Sequence, residues 1–373
     1  MDDFGQGAQK IILEGADFDG MIGDYYNYSE YNEDETCCVG AVCDQNHSME
    51  FAAVFVPVLY SVALVLGLVG NGLVVAVLWH KRRSWNVTDT FILHLAVSDV
   101  LLLLTLPFWA VEATQGWIFG TGLCKTTGAL FKINFYCGIF LLACISVDRY
   151  MSIIHAVQMY SRKNPWVVQV SCLAVWLVCI LLSIPDWLYL TVSFDSRRNK
   201  TECVYDYPQP QASWRLGFRL LYHVLGFLIP ATIMVFCYTR ILLRLCRGSQ
   251  SMQKQRAMRV ILALVVAFFI SWTPYNITLM ADTLQTNVSS TSDSSSCHTM
   301  TTLDITQTIT STLGYMHCCV NPLLYAFVGV KFRRHLVEML KAMHCPLKSR
   351  MASISRRSSM WSETGDTTNT SAF

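Results

Sequence analysis

Seven stretches of this chain are each apolar over a length that crosses a bilayer, and no other feature constrains its fold as strongly. A helix rises about 1.5 Å per residue, so about 20 apolar residues cover a hydrocarbon core of about 30 Å. The runs lie at roughly Val54–Trp79, Thr90–Ala113, Cys124–His155, Trp166–Leu190, Trp214–Leu245, Met258–Leu284 and Leu303–Val330. Hydrophobic residues make up 53% of the 373 and charged residues 14%, too apolar a balance for an ordinary soluble domain. The expected fold is an all-α membrane protein, a bundle of seven transmembrane helices. Cys124 and Asp148 would stand roughly 36 Å apart on one such helix, so its ends face two solvents. A cysteine on the oxidising side can be cross-linked. Asp148-Arg149-Tyr150 at the opposite boundary is costly to hold there and is a functional suspect.

Basic clusters give the orientation. Lys81-Arg82-Arg83, Arg149–Lys163, Arg240–Arg259 and Lys331–Lys341 follow runs one, three, five and seven, which puts them in the cytoplasm and the N-terminus outside a cell membrane. Met1-Asp2-Asp3 lacks the basic flank and apolar core of a cleavable signal, so the first span is expected to direct insertion. The formal charge of +2 hides an asymmetry: residues 1–50 hold twelve acids against Lys10 alone, −11, leaving +13 for the remainder. An acidic outer tail suggests a cationic extracellular partner. Four regions result: an acidic tail over 1–53, expected to be disordered alone, the bundle over 54–330, an amphipathic interfacial helix over 331–345 and a Ser/Thr-rich cytoplasmic tail over 346–373.

The outer tail embeds Tyr25, Tyr26, Tyr28 and Tyr31 among acids, a setting suited to tyrosine sulfation. Sequons at Asn27, Asn46, Asn199 and Asn287 fall outside in this topology. Six cysteines also lie outside, Cys37, Cys38, Cys43, Cys124, Cys203 and Cys297, and six allow fifteen pairings. Topology favours Cys124 with Cys203, and leaves Cys297 to take a cysteine from the tail. His317-Cys318-Cys319 resembles a metal cluster only superficially. In mid-membrane, Asp99 needs partners, which Asn71, Asn134 and Asn321 could supply, or the set could help hold a small cation. Pro107, Pro230, Pro274 and Pro322 interrupt helices, as static bends or as hinges. Trp272, beside Pro274 and one turn from Phe268, is placed to shift when a ligand arrives from outside. Residues 331–341 read as a helix lying in the interface with lipid. Cys345 is a palmitoylation candidate, and Arg356-Arg357-Ser358-Ser359 suits kinases.

The ordered set Gly70-Asn71, Leu95 to Asp99, Asp148-Arg149-Tyr150, Trp176, Pro230, Trp272-Thr273-Pro274 and Asn321-Pro322-Leu323-Leu324-Tyr325 resembles the rhodopsin-like G-protein-coupled receptors. Thr105-Leu106-Pro107, Trp117-Ile118-Phe119-Gly120, Ser146 to Ile153 and His317-Cys318-Cys319-Val320-Asn321-Pro322 narrow the resemblance to chemokine receptors. Leu123-Cys124-Lys125, Phe131 to Tyr136 and Trp361-Ser362-Glu363-Thr364 look closest to the CXC type, subtype three.

The resemblance implies disulfides Cys124–Cys203 and Cys43–Cys297, with Cys37 and Cys38 extra. It implies a basic CXC chemokine held by sulfated tail tyrosines, its N-terminus entering a pocket at Tyr60, Trp109, Glu112, Phe131, Asp186, Tyr275, Asp282, Asp304 and Tyr315. Acids at the rim above aromatics would receive a cationic peptide end. Inside, it implies a switch in which Arg149 leaves Asp148 as span six swings outward and Tyr238 and Tyr325 turn towards it. The expected partners are a heterotrimeric G protein of the inhibitory class, receptor kinases, arrestins and membrane lipid, with no nucleic acid. An allosteric sodium ion at Asn71, Asp99, Asn134 and Asn321 is the one cofactor in question. Gly138, where many relatives carry serine, weakens that site. Ser311 replaces a pocket glutamate of many relatives, so Asp186, Asp282 or Asp304 must supply the anionic contact. Residues 254–259 contain no acid to lock Arg149 onto span six.

A non-signalling chemokine scavenger is the alternative, against which the intact Asp148-Arg149-Tyr150 speaks. A transporter would be expected to show an internal repeat, and none is detectable. No Ser, His and acid set points to an enzyme.

Overall fold

A computed structural model describes residues 46–80, 86–154, 165–195, 198–247, 252–288, 294–328, 332–339 and 341. Tyr25, Tyr26, Tyr28, Tyr31, Asn27, Cys37, Cys38, Cys43, Cys345 and the tail over 346–373 lie outside the described residues, as do the side chains of Asn46, Asn287 and Cys297.

Seven helical passes follow one another. Span one is α1 (Asn46–His80), beginning eight residues ahead of the apolar run, and span two is α2 (Val87–Leu103) with α3 (Leu106–Gln115). Span three is α4 (Gly120–Ile154), and span four is α5 (Pro165–Leu182) with α6 (Ile184–Tyr189). Span five joins α7 (Gln211–His223), a π-helical turn (Val224–Leu228) and α8 (Ile229–Arg247). Spans six and seven are α9 (Met252–Val288) and α10 (Ser294–Val328), and residues 332–339 are helical. Among the described residues six passes are long and apolar enough to cross a membrane by length and composition. The seventh is as long but rich in threonine. Thr302, Thr306, Thr308, Thr310 and Thr312 each turn a hydroxyl back onto the carbonyl four residues earlier, which satisfies them without a partner helix.

Span three is the axis: 67% of its apolar window is buried, against 22% for spans one and four. It packs against spans two, four, five and six, while span seven closes the ring between six and one. Leu66, Val69, Leu173, Leu177 and Leu181 face outward, an apolar girdle that only lipid would cover at low cost.

The proline breaks have identifiable compensations. Ahead of Pro107, span two stops at Leu103, and Thr105 gives both its amide and its hydroxyl to the Leu102 carbonyl, at 2.8 and 2.7 Å. Pro322 has no N–H for the Cys318 carbonyl, and Asn71 of span one donates to that carbonyl at 2.9 Å. Gly70 permits the approach, since a Cβ there would lie 2.8 Å from Pro322.

One element went unread in the sequence: a hairpin between spans four and five, β1 (Leu190–Asp195) antiparallel to β2 (Lys200–Tyr205), with Val192 opposite Cys203. The Cys124–Cys203 disulfide ties β2 to the outer end of α4. Gly116, at φ 84°, lets the end of span two meet β2, where the Trp117 amide donates to the Thr201 carbonyl at 2.6 Å. Asn199 lies exposed near the hairpin turn, open to a glycan.

Candidate functional site

The hairpin roofs a cavity of about 320 Å³ at the outer end of the bundle. Five of the nine expected pocket residues line it: Tyr60, Trp109, Glu112, Asp304 and Tyr315. Phe131 does not line it but packs beneath the lining Tyr315 as an aromatic floor, 5.2 Å from Tyr315 and 6.0 Å from Tyr275 between ring centres. Asp186 and Asp282 do not line it; they stand with Tyr205 of the hairpin and Arg219 of span five.

The acids are not open charges waiting at a rim. Arg198 bridges Glu202 at 3.1 Å and Asp304 at 2.9 Å. Arg219 pairs with Asp282 at 2.6 Å and reaches the Thr283 hydroxyl at 2.7 Å. Asp186 accepts from the Tyr205 hydroxyl at 2.5 Å, and Glu112 from the Cys203 amide at 2.8 Å. A half-buried carboxylate left bare would be costly, so the bundle supplies its own donors. Burial disfavours the Arg198 charge, yet Glu202 and Asp304 hold its pKa above the ordinary value. Burial, and then the Asp186 charge, push the Tyr205 phenol well above its usual range, so it stays a donor. Arg198 and Arg219 were missed by sequence reasoning, although both are basic residues on the outer side, where few occur.

Below the floor, Trp272 is fully buried against Phe131, Phe135, Tyr275 and His317, at 4.9 to 5.9 Å between centres. Phe268 lies 6.1 Å from it. Gly138 makes room for Phe268, whose ring would meet a Cβ there at 2.9 Å. α9 runs through Pro274 and α10 through Pro322 as continuous helices.

Asp99, 2% exposed, accepts from Asn134 at 3.1 Å, Asn321 at 2.9 Å and the Cys318 thiol at 3.4 Å. His317 Nε2 stands 3.6 Å away, so Asp99, His317 and Cys318 cluster as sequence reasoning did not foresee. Asn71 is spent on the Gly67 and Cys318 carbonyls. Asn134 and Asn321 thus meet at Asp99, while the Asn71 amide group is directed to carbonyls of spans one and seven.

At the cytoplasmic end Arg149 donates to Asp148 at 2.8 Å and to the Thr88 hydroxyl at 2.6 Å. Thr88 is a second hold that the sequence reading did not include. Tyr238 is hydrogen-bonded with Ser146 at 3.2 Å. The Tyr325 ring packs on Phe332 at 6.2 Å, and its buried hydroxyl has no hydrogen bond among the described residues. Tyr150 packs on Phe236 of span five at 5.8 Å.

Comparison with known proteins bears on this arrangement directly. The family model for the 7 transmembrane receptor (rhodopsin family) matches residues 70–325, the stretch from the Gly70–Pro322 contact to Tyr325. C-X-C chemokine receptor type 3 of Bos taurus is 48% identical over 361 residues, covering 96% of each chain. The Homo sapiens receptor of that type is 46% identical over 361 residues, covering 95% of this chain and 96% of the relative. C-X-C chemokine receptor type 5 of Homo sapiens is 40% identical over 328 residues, 87% of each. These relatives are receptors rather than enzymes. With a family match through the bundle and near-full-length relatives, the chain belongs to the rhodopsin family of seven-transmembrane receptors, multi-pass proteins of the plasma membrane, and within it to the CXC chemokine receptors.

Proposed function

We propose that this receptor binds basic CXC chemokines with its acidic tail and its roofed pocket, and answers by activating a G protein of the inhibitory class. The observation that carries the reading is an aromatic path from the pocket to the buried Trp272. Tyr315 meets Phe131 at 5.2 Å, Phe131 meets Trp272 at 5.7 Å, and Trp272 lies above an Asp148–Arg149 pair that is closed. A peptide end that displaces Phe131 would press on Trp272, and the Arg149 contacts to span two and to Asp148 are what the inward signal has to break. Sulfate on Tyr25, Tyr26, Tyr28 and Tyr31 would strengthen the tail's hold on a basic ligand. Phosphorylation of the serine-rich tail by receptor kinases would recruit arrestin, and directed migration of leukocytes is the response that fits.

The deciding measurement is G-protein dissociation in cells expressing the chain, challenged with a panel of CXC and CC chemokines with and without pertussis toxin. Toxin-sensitive activation by a few CXC members is expected, with surface display and binding retained but activation abolished in Arg149→Gln. Binding and uptake with no activation by any ligand would make the protein a scavenger and overturn the signalling reading.

A further inference from the structure

Lys132 is a charged side chain for which the pocket described above has no use. It follows Phe131 on α4 and is half-buried, with its ammonium 4.1 Å from the centre of the Tyr222 ring and 5.7 Å from that of Phe131. An ammonium carries three donors and no acceptor, and a ring face satisfies its charge only in part. Among the described residues it makes no ion pair within 4.0 Å. The charged groups acting on it are Asp186 and Arg219, of opposite sign. Asp186 is already engaged by Tyr205, and Asp282 by Arg219. Every expected pocket carboxylate thus has a donor from the protein, while this cation, next to Phe131, has no ion-pair partner among the described residues. An acceptor arriving there would add a charge-assisted hydrogen bond to an ammonium that otherwise meets ring faces.

The position also has a route inward. Tyr222 lies 4.6 Å from Phe135, and Phe135 lies 4.9 Å from Trp272, so whatever seats on Lys132 stands two rings from the buried tryptophan.

We propose that Lys132 is an anion subsite at the pocket floor, taking a carboxylate carried by the N-terminal segment of the bound ligand on the side of the ammonium away from Tyr222. This rests on the pocket being the ligand site. The preferred segment is then bipolar, cationic where it passes Glu112 and Asp304 and acidic where it ends.

The test is a charge exchange. In the CXC chemokine that activates the receptor in the panel, each residue ahead of the first cysteine is replaced by Glu and, separately, by Lys. G-protein dissociation is read on wild-type, Lys132→Gln and Lys132→Glu receptors matched for surface display. At one ligand position Glu is expected to exceed Lys in potency by roughly 10- to 100-fold on wild type, to lose that preference on Lys132→Gln and to reverse it on Lys132→Glu. If the glutamate variant fails to reach the surface, loss of the preference on Lys132→Gln decides. A preference that survives the substitutions, or no preference at any position, overturns the subsite. Glu112→Gln and Asp304→Asn separate the two failures. Impaired responses there with wild-type behaviour at Lys132 sink the subsite alone, whereas full responses there sink the pocket reading beneath it.

Discussion

The outer mouth and the middle of the bundle both hold carboxylates, and they hold them differently. At the mouth Asp304 and Asp282 are paired with arginines whose side chains are 22–31% exposed with theirs. Halfway down, Asp99 is 2% exposed and is met by two carboxamides and a thiol from spans three and seven. Pairs in reach of water contribute little to stability and can be exchanged for a ligand's charges. A dry carboxylate whose donors come from other helices fixes those helices to one another, and losing it takes an acceptor from each of them. The mouth is therefore built for exchange and the middle for registry.

Four substitutions at three positions would break or sharpen that contrast, each read as thermal stability of the purified receptor. Asp99→Ala is expected to cost the most, about 2–5 kcal/mol, because two buried amides lose their acceptor together. Asn71→Ala should cost about 1–3 kcal/mol through the bare Cys318 carbonyl, and Asn71→Asp, which lacks the donor, should not restore it. Asp304→Asn should cost no more than about 1 kcal/mol, since Arg198 keeps Glu202 and the pair is open to solvent. Equal losses at Asp304 and Asp99 would erase the distinction between the two regions.

What the sequence made legible follows from what is local in it. Seven passes came from run length, the break before Pro107 from the missing amide, and the favoured pairing of Cys124 with Cys203 from topology. The hairpin was within reach too, since Leu190-Thr191-Val192-Ser193-Phe194 alternates with period two ahead of Asn199, but it lay inside what read as a loop. The partners of the pocket acids were not legible. Arg219 and Asp282 are 63 residues apart and Arg198 and Asp304 are 106 apart, and only packed helices reveal which charges meet. The bond of the Asn71 amide was hidden for the same reason: its acceptor is set by a proline on another span.

The bond from Asn71 to the Cys318 carbonyl also bears on how the chain is made. It joins residues 247 positions apart, so the first helix to enter the membrane during synthesis receives this partner only when the last one arrives. Contacts of such separation form late. Until span seven is in place, span one packs on span two with its carboxamide lacking the Cys318 carbonyl. A ribosome halted short of residue 294 would leave six helices, with the first still lacking its latch to the seventh.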